Sequence, residues 1–288
     1  MRQSRGRRNR DIRVKLTERD ALLLEAVNRF RLARTRDLLA VAFAAVHPMT
    51  ASVRIRRLFD TGYLDVRCGD RTEENIYSLG PLGRRWAEGY GVQVGRVPRG
   101  GAAHHLAIVR AWSSLAEVVQ RHPGASVELT RPDWELREEF GEAGLPVVPD
   151  LFTVLAVGSA TGPRTAALAI EVDLGTETLG VLDQKLVAYD LLAGRQHGLF
   201  GHRDFGLAIA LANPGREAAV RRLIDRRWGG WWLLWTDADG PDAAITDVLD
   251  ALAGAARPPV TNPRSGNGGL PALTPEASTL STATRREH

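Results

Sequence analysis

Two apolar runs with acidic ends, joined by a short Gly/Pro turn, constrain this chain more than any other stretch. The first spans residues 147–157 and carries Pro149-Asp150 near its start; the second spans 165–174 and contains Ala169-Ile170-Glu171-Val172-Asp173. Gly158-Ser-Ala-Thr-Gly-Pro163 between them predicts a hairpin loop, so the two runs read as adjacent strands. Thr176 or Thr178 then caps a helix that runs to about Ala193 and carries Lys185 and Tyr189. Glu171 and Asp173, two apart in a strand, point to one face. Lys185 and Tyr189, four apart in a helix, do the same. Three carboxylates and a lysine thus fall on two strands and the helix that follows. That arrangement suits a divalent-metal site for phosphodiester chemistry, or the remnant of one, because hard cations prefer oxygen ligands.

Around this centre the second half of the chain predicts a long amphipathic helix over 102–122 and a strand over 125–130. A strand over 205–211, a helix over 215–228, a strand over 230–236 and a helix over 243–253 follow. Pro132-Asp133 is a rival first carboxylate, but a charged, helix-like run follows it, so Asp150 is preferred. His104-His105 at a helix start, His197 and His202 read as polar caps or packing features, since adjacent helical residues project about 100° apart and seldom share one ion. Trp228, Trp231, Trp232 and Trp235 could stack bases, but alternation in a strand makes them core or interface residues.

The charge is unevenly divided. Residues 1–100 hold 21 Lys+Arg and 11 Asp+Glu, whereas the chain as a whole holds 38 and 34. A basic first third points to a polyanionic partner; the acidic remainder does not. Only Lys15 and Lys185 are lysine. No apolar run is long enough to span a membrane, and no apolar signal core follows the basic start, which reads as cytoplasmic. The single Cys68 rules out an internal disulfide framework.

The first third predicts three helices and a hairpin. Residues 1–16 form a basic flexible arm. Thr17 caps a helix carrying Leu22, Leu23, Ala26, Val27 and Phe30; Thr35 caps a second, ended by His47-Pro48; Thr50 opens a third, with Ala51, Ile55 and Leu58 on its inner face, closing at Gly62. Strands over 63–68 and 75–79 follow, then a helix through Trp86 and Tyr90. This is the order of a winged helix-turn-helix over 17–94, and Val53-Arg-Ile-Arg-Arg-Leu-Phe-Asp-Thr-Gly-Tyr-Leu64 resembles the recognition helix of that class. Ser52, Arg54, Arg56 and Arg57 would face DNA, with Arg67 and Arg71 on the wing, because arginine pairs with guanine edges and phosphates. Residues 95–101 read as a linker and 256–288 as a disordered tail.

The second domain, 102–255, resembles the restriction-endonuclease-like PD-(D/E)xK superfamily, whose core runs αβββαβ; the fold class expected is therefore mixed α+β or α/β. By that resemblance Asp150, Glu171 and Asp173 would hold Mg2+ or Mn2+, and Asp150, Glu171, Asp173 and Lys185 would be catalytic. Position 173 is Asp where the superfamily has lysine, and Lys185 would supply the missing cation; the pattern is also compatible with an inactive, structural descendant in which Lys185 simply neutralises a carboxylate. Over roughly residues 17–235 the whole pattern resembles the replication-relaxation proteins of plasmids and integrative elements. The segment Glu171–Glu177 with Lys185 and Tyr189 is the most specific part. The resemblance implies double-stranded DNA as partner, together with replication or mobilisation proteins of the same element, and a homodimer is compatible with it. The alternatives are a Mg-dependent DNA endonuclease and a winged-helix transcriptional regulator with an α/β oligomerisation or effector domain.

Overall fold

The computed structural model describes residues 13–67, 74–91, 94, 101–141, 144–159, 162–195 and 197–254. Most of residues 1–16, Cys68 at the end of the expected 63–68 strand, Arg71, most of 95–101 and residues 255–288 lie outside the described residues.

Helix α1 is Glu18–Phe30, and Thr17 caps it in a reciprocal box: the Thr17 amide donates to Asp20 Oδ2 at 2.6 Å, and the Asp20 amide donates to Thr17 Oγ1. Helix α2 is Thr35–Ala42 and α3 is Pro48–Thr61. The sequence places the start of the third helix at Thr50. Pro48 opens it instead, because a first-turn residue needs no N–H and the ring pre-sets a helical φ. The Met49 amide donates to His47 Nδ1. The helix closes on Gly62 in the left-handed region at φ 90, as expected. Strands β2 (Leu64–Arg67) and β3 (Ile76–Leu79) pair antiparallel, and a two-residue strand not foreseen, β1 (Ala33–Arg34), adds to β3. Helix α4, Pro81–Gly89, follows. Gly80 must be glycine: a Cβ there would sit 2.3 Å from the Gly62 carbonyl oxygen.

Helix α5 is Ala102–Arg121, β4 is Ala125–Pro132, and α6, Asp133–Phe140, forms in the charged run. Strands β5 (Leu151–Val157) and β6 (Arg164–Asp173) form the expected hairpin. Helix α7 is Leu179–Ala193 with Thr178 at its N-cap position. Strand β7 is Phe205–Leu211; a 3-10 turn, Pro214–Arg216, leads into α8, Glu217–Arg227. Strand β8 (Trp232–Thr236) and α9 (Asp242–Ala253) complete the described chain. The sheet order is β4-β5-β6-β7-β8, antiparallel from β4 to β6 and parallel from β6 to β8. The expected mixed α+β class holds, with two sheets.

Both faces of the five-stranded sheet are covered, and this is why β5 and β7 are buried at every position and apolar at all but Thr153. Leu151, Leu155, Leu168 and Ile170 face α5 and α9; Phe152, Val154, Ala169 and Leu207 face α7 and α8. Trp228, Trp232 and Trp235 are buried, in keeping with core packing. The apolar cluster on the α5 side continues into α1, α2 and α3. Polar contacts follow the same join. The buried Asp37 of α2 accepts a hydrogen bond from Ser113 Oγ of α5 at 2.9 Å, and the indole of Trp134 donates to the Arg29 carbonyl. His105 Nε2 donates to the Phe30 carbonyl. Among the described residues no helix is long and apolar enough to cross a membrane.

Candidate functional site

The register that joins Leu151 to Ile170 leaves Asp150, just ahead of β5, beside the end of β6. Asp150 Oδ2 accepts from the Val172 amide at 2.8 Å, so the carboxylate takes over a ladder position where β5 has not yet begun. Its other oxygen lies 3.0 Å from His104 Nε2, at the start of α5. Glu171, only 3% exposed, faces α7. There Tyr189 donates from its hydroxyl to Oε1 at 2.5 Å, and Lys185 donates from Nζ to Oε2 at 2.9 Å. Lys185 also meets Glu177 Oε2 at 3.2 Å. The helical pair Lys185/Tyr189 therefore closes over one carboxylate.

The electrostatics follow from burial. Loss of solvent, then the neighbouring Asp150 carboxylate, push Glu171 up to about 7, partly offset by Lys185 and Tyr189. Burial alone would pull Lys185 down, but the charge and hydrogen bond of Glu171 outweigh it and hold the ammonium above its ordinary range. The Tyr189 hydroxyl is pushed well up by burial and by Glu171. The hydrogen bond to Asp150 raises His104 against the opposing effect of burial.

Asp173 does not join this group. It is the last residue of β6, and parallel pairing with β7 brings the 3-10 turn alongside: Arg216 Nε donates to Asp173 Oδ2 at 2.9 Å, and the Gly175 amide to Oδ1 at 2.6 Å. Asp150, Glu171 and Lys185 are brought together; Asp173 is turned to Arg216. Both carboxylate oxygens of Asp150, Glu171 and Asp173 already meet a protein nitrogen or hydroxyl. Among the described residues no group of three or more His, Cys, Asp and Glu side chains is placed to hold a metal ion. The arrangement therefore does not fit the Mg2+ or Mn2+ that the superfamily resemblance implies. The rival Asp133 is engaged with Arg137 on α6.

A second candidate surface lies on α3. Ala51, Ile55 and Leu58 are buried, and Ser52, Val53, Arg56 and Arg57 are exposed on the outer side. Arg56 pairs with Asp60 at 3.0 Å and lies over the Phe59 ring. Arg54, expected to flank the outer face, instead turns to α1: its Nε donates to Asp20 Oδ1 at 2.8 Å, and Nη2 to Asp20 Oδ2 and to the Lys15 carbonyl. Burial would raise Asp20, but Arg54 and Thr17 outweigh it and hold the carboxyl below its ordinary value. Arg67 ends β2, partly exposed.

The replication-relaxation profile matches residues 24–202, well over half of the chain. The chain belongs to the replication-relaxation family. No curated protein and no solved structure shows significant similarity to it. The family points to replication or relaxation of plasmid or other mobile-element DNA. In this replication-relaxation protein the matched region holds the α3 face, His104, Asp150, Glu171, Lys185 and Tyr189, and leaves Arg216 outside. Sequence reasoning passed over His104 and Arg216 as site partners. His104 carried one usable signal, its place at a helix start; nothing in the spacing of Arg216 distinguishes it from the other arginines.

Proposed function

We propose that this replication-relaxation protein grips duplex DNA with the outer face of α3 and uses its five-stranded domain as a non-cleaving platform. On that platform the replication or relaxation proteins of a plasmid or integrative element would assemble. The observation that carries the DNA-binding part is α3 itself. Its inner side is sealed into the core, and its outer side offers Ser52, Arg56 and Arg57 to solvent, within a basic first third and ahead of a β-hairpin. A helix so displayed fits a major groove, and its arginines can meet guanine edges and phosphates. The platform part is supported by the engagement of all six carboxylate oxygens of Asp150, Glu171 and Asp173 within the protein. Such a network holds β5, β6, α5 and α7 in register.

A metal-dependent endonuclease is the second reading, favoured by the lysine that faces the Glu171 carboxylate from the next helix. One experiment separates the two. Purified protein is incubated with supercoiled plasmid and Mg2+ or Mn2+, beside an Asp150→Ala control, while duplex binding is followed by gel shift. Binding with no nicking above the control is expected; nicking that the control lacks would replace the platform with the nuclease. Protection of a single operator near its own gene, with no effect on replication of the element, would instead favour a transcriptional regulator.

A further inference from the structure

The outer face of α3 is not uniformly basic. Met49 is 68% exposed and Val53 48% exposed, two of the eight large apolar side chains displayed by the described residues and the two that α3 carries. Ser52 and Val53 lie three and four residues after Met49, and Arg56 four and three after them, so the four form one stripe along the helix, with the apolar pair in its first two turns. Nothing about the fold requires this. The inner side is already filled by Ala51, Ile55 and Leu58. An apolar pair set beside exposed arginines suits a partner that is both anionic and locally apolar.

Resting on the DNA-binding reading above, we infer that Met49 and Val53 are specificity-determining residues that contact thymine C5-methyl groups in the major groove, beside a guanine met by Arg56. Charge complementarity selects the occupant: residues 1–100 carry 21 basic against 11 acidic side chains, and Arg56 and Arg57 stand on the same helix. In the major groove the thymine methyl is the apolar feature of the base edges, and the first turns of a recognition helix are the part that reaches them. The engagement of Arg54 with Asp20 and the Lys15 carbonyl sharpens the assignment, because it turns that arginine inward and leaves the apolar pair beside Ser52, Arg57 and Arg56, the last exposed although it pairs with Asp60. The preferred site therefore contains thymines next to guanine.

The test starts with selection of duplexes from a random pool by the full chain. The selected site is then remade with deoxyuridine for thymine, which removes the methyl and keeps the pairing. Affinity should fall about fourfold for each contacted methyl. The same change should cost nothing in Met49→Ala,Val53→Ala, whose thermal stability should match the parent. Binding without sequence preference, no penalty for deoxyuridine, or a penalty that persists in the double variant would each overturn this inference and leave DNA binding standing. Failure to bind any duplex would overturn both, and capture of a protein by the same stripe without DNA would do the same.

Discussion

The Lys185 ammonium lies 2.9 Å from Oε2 of Glu171, reaching down from α7 onto the most deeply buried carboxylate of the β5–β6 hairpin. Glu171 has no solvent to turn to, so its charge depends on Lys185 and Tyr189. Replacing Lys185 by methionine should destabilise the protein by about 1–2 kcal/mol near pH 8, because Glu171, already raised to about 7, takes up a proton rather than stand charged without its partner. The loss should shrink near pH 5, where Glu171 is protonated in the parent as well. Denaturant melts of Lys185→Met at the two pH values check this; an equal loss at both would contradict it.

Glu171 also sets a pH dependence whose sign is fixed. Its folded value is raised from 4.5 to about 7, so between those values the folded protein binds more protons than the unfolded chain. Stability from this group is therefore fully present below about 4.5 and lost as pH rises through 7. His104, also raised, adds a loss in the same direction as pH passes its folded value. The midpoint of thermal unfolding should fall between pH 5 and pH 7.5, and Glu171→Gln should flatten much of that slope. A Gln variant as pH-dependent as the parent would show that other groups control it.

On α3 the arginines should separate into two kinds. Arg54 holds Asp20, which is 0% exposed, so Arg54→Ala should lower stability by about 3 kcal/mol, moderated by the Thr17 donors that Asp20 keeps. Arg56 is itself exposed, although its partner Asp60 is only 7% exposed, so the pair lies between a surface ion pair and a buried one. Arg56→Ala should therefore cost less stability than Arg54→Ala while weakening duplex binding, and should reduce the slope of log affinity against log salt by about 0.9 if the residue meets a phosphate. Paired melts and salt titrations of the two variants check both; a shallower salt slope for Arg54→Ala at constant stability would exchange their roles.

What was legible in the sequence was local. The Thr17 cap, the Gly62 stop, the β5–β6 hairpin and the shared face of Lys185 and Tyr189 all rest on spacings of a few residues. The membership of the family was legible as well, and its profile covers the contiguous stretch 24–202. The misjudged features are long-range pairings. Asp173 does share a strand face with Glu171, but Arg216, 43 residues on, claims it through the parallel strand β7. Arg54 is placed by an aspartate 34 residues earlier, and Asp150 by a histidine 46 residues earlier. Periodicity says which way a side chain starts out; it does not say which distant donor the fold will bring to it.

The same long-range logic governs the join between the three-helix region and the five-stranded sheet. Asp37 is buried on α2, and burial raises its carboxyl; the Arg34 amide and the Ser113 hydroxyl of α5 are the donors that offset this. Ser113 is itself fully buried, so no water replaces its hydroxyl if it is lost. Ser113→Ala should cost about 1–3 kcal/mol, the penalty for leaving a buried acceptor short of a donor. The cost should be larger at neutral pH than in acid, because a protonated Asp37 needs one donor fewer. Because α5 packs on both sides of the join, the variant should still unfold in one transition, at lower denaturant. Two separated transitions would show instead that the helices of the first third fold independently of α5.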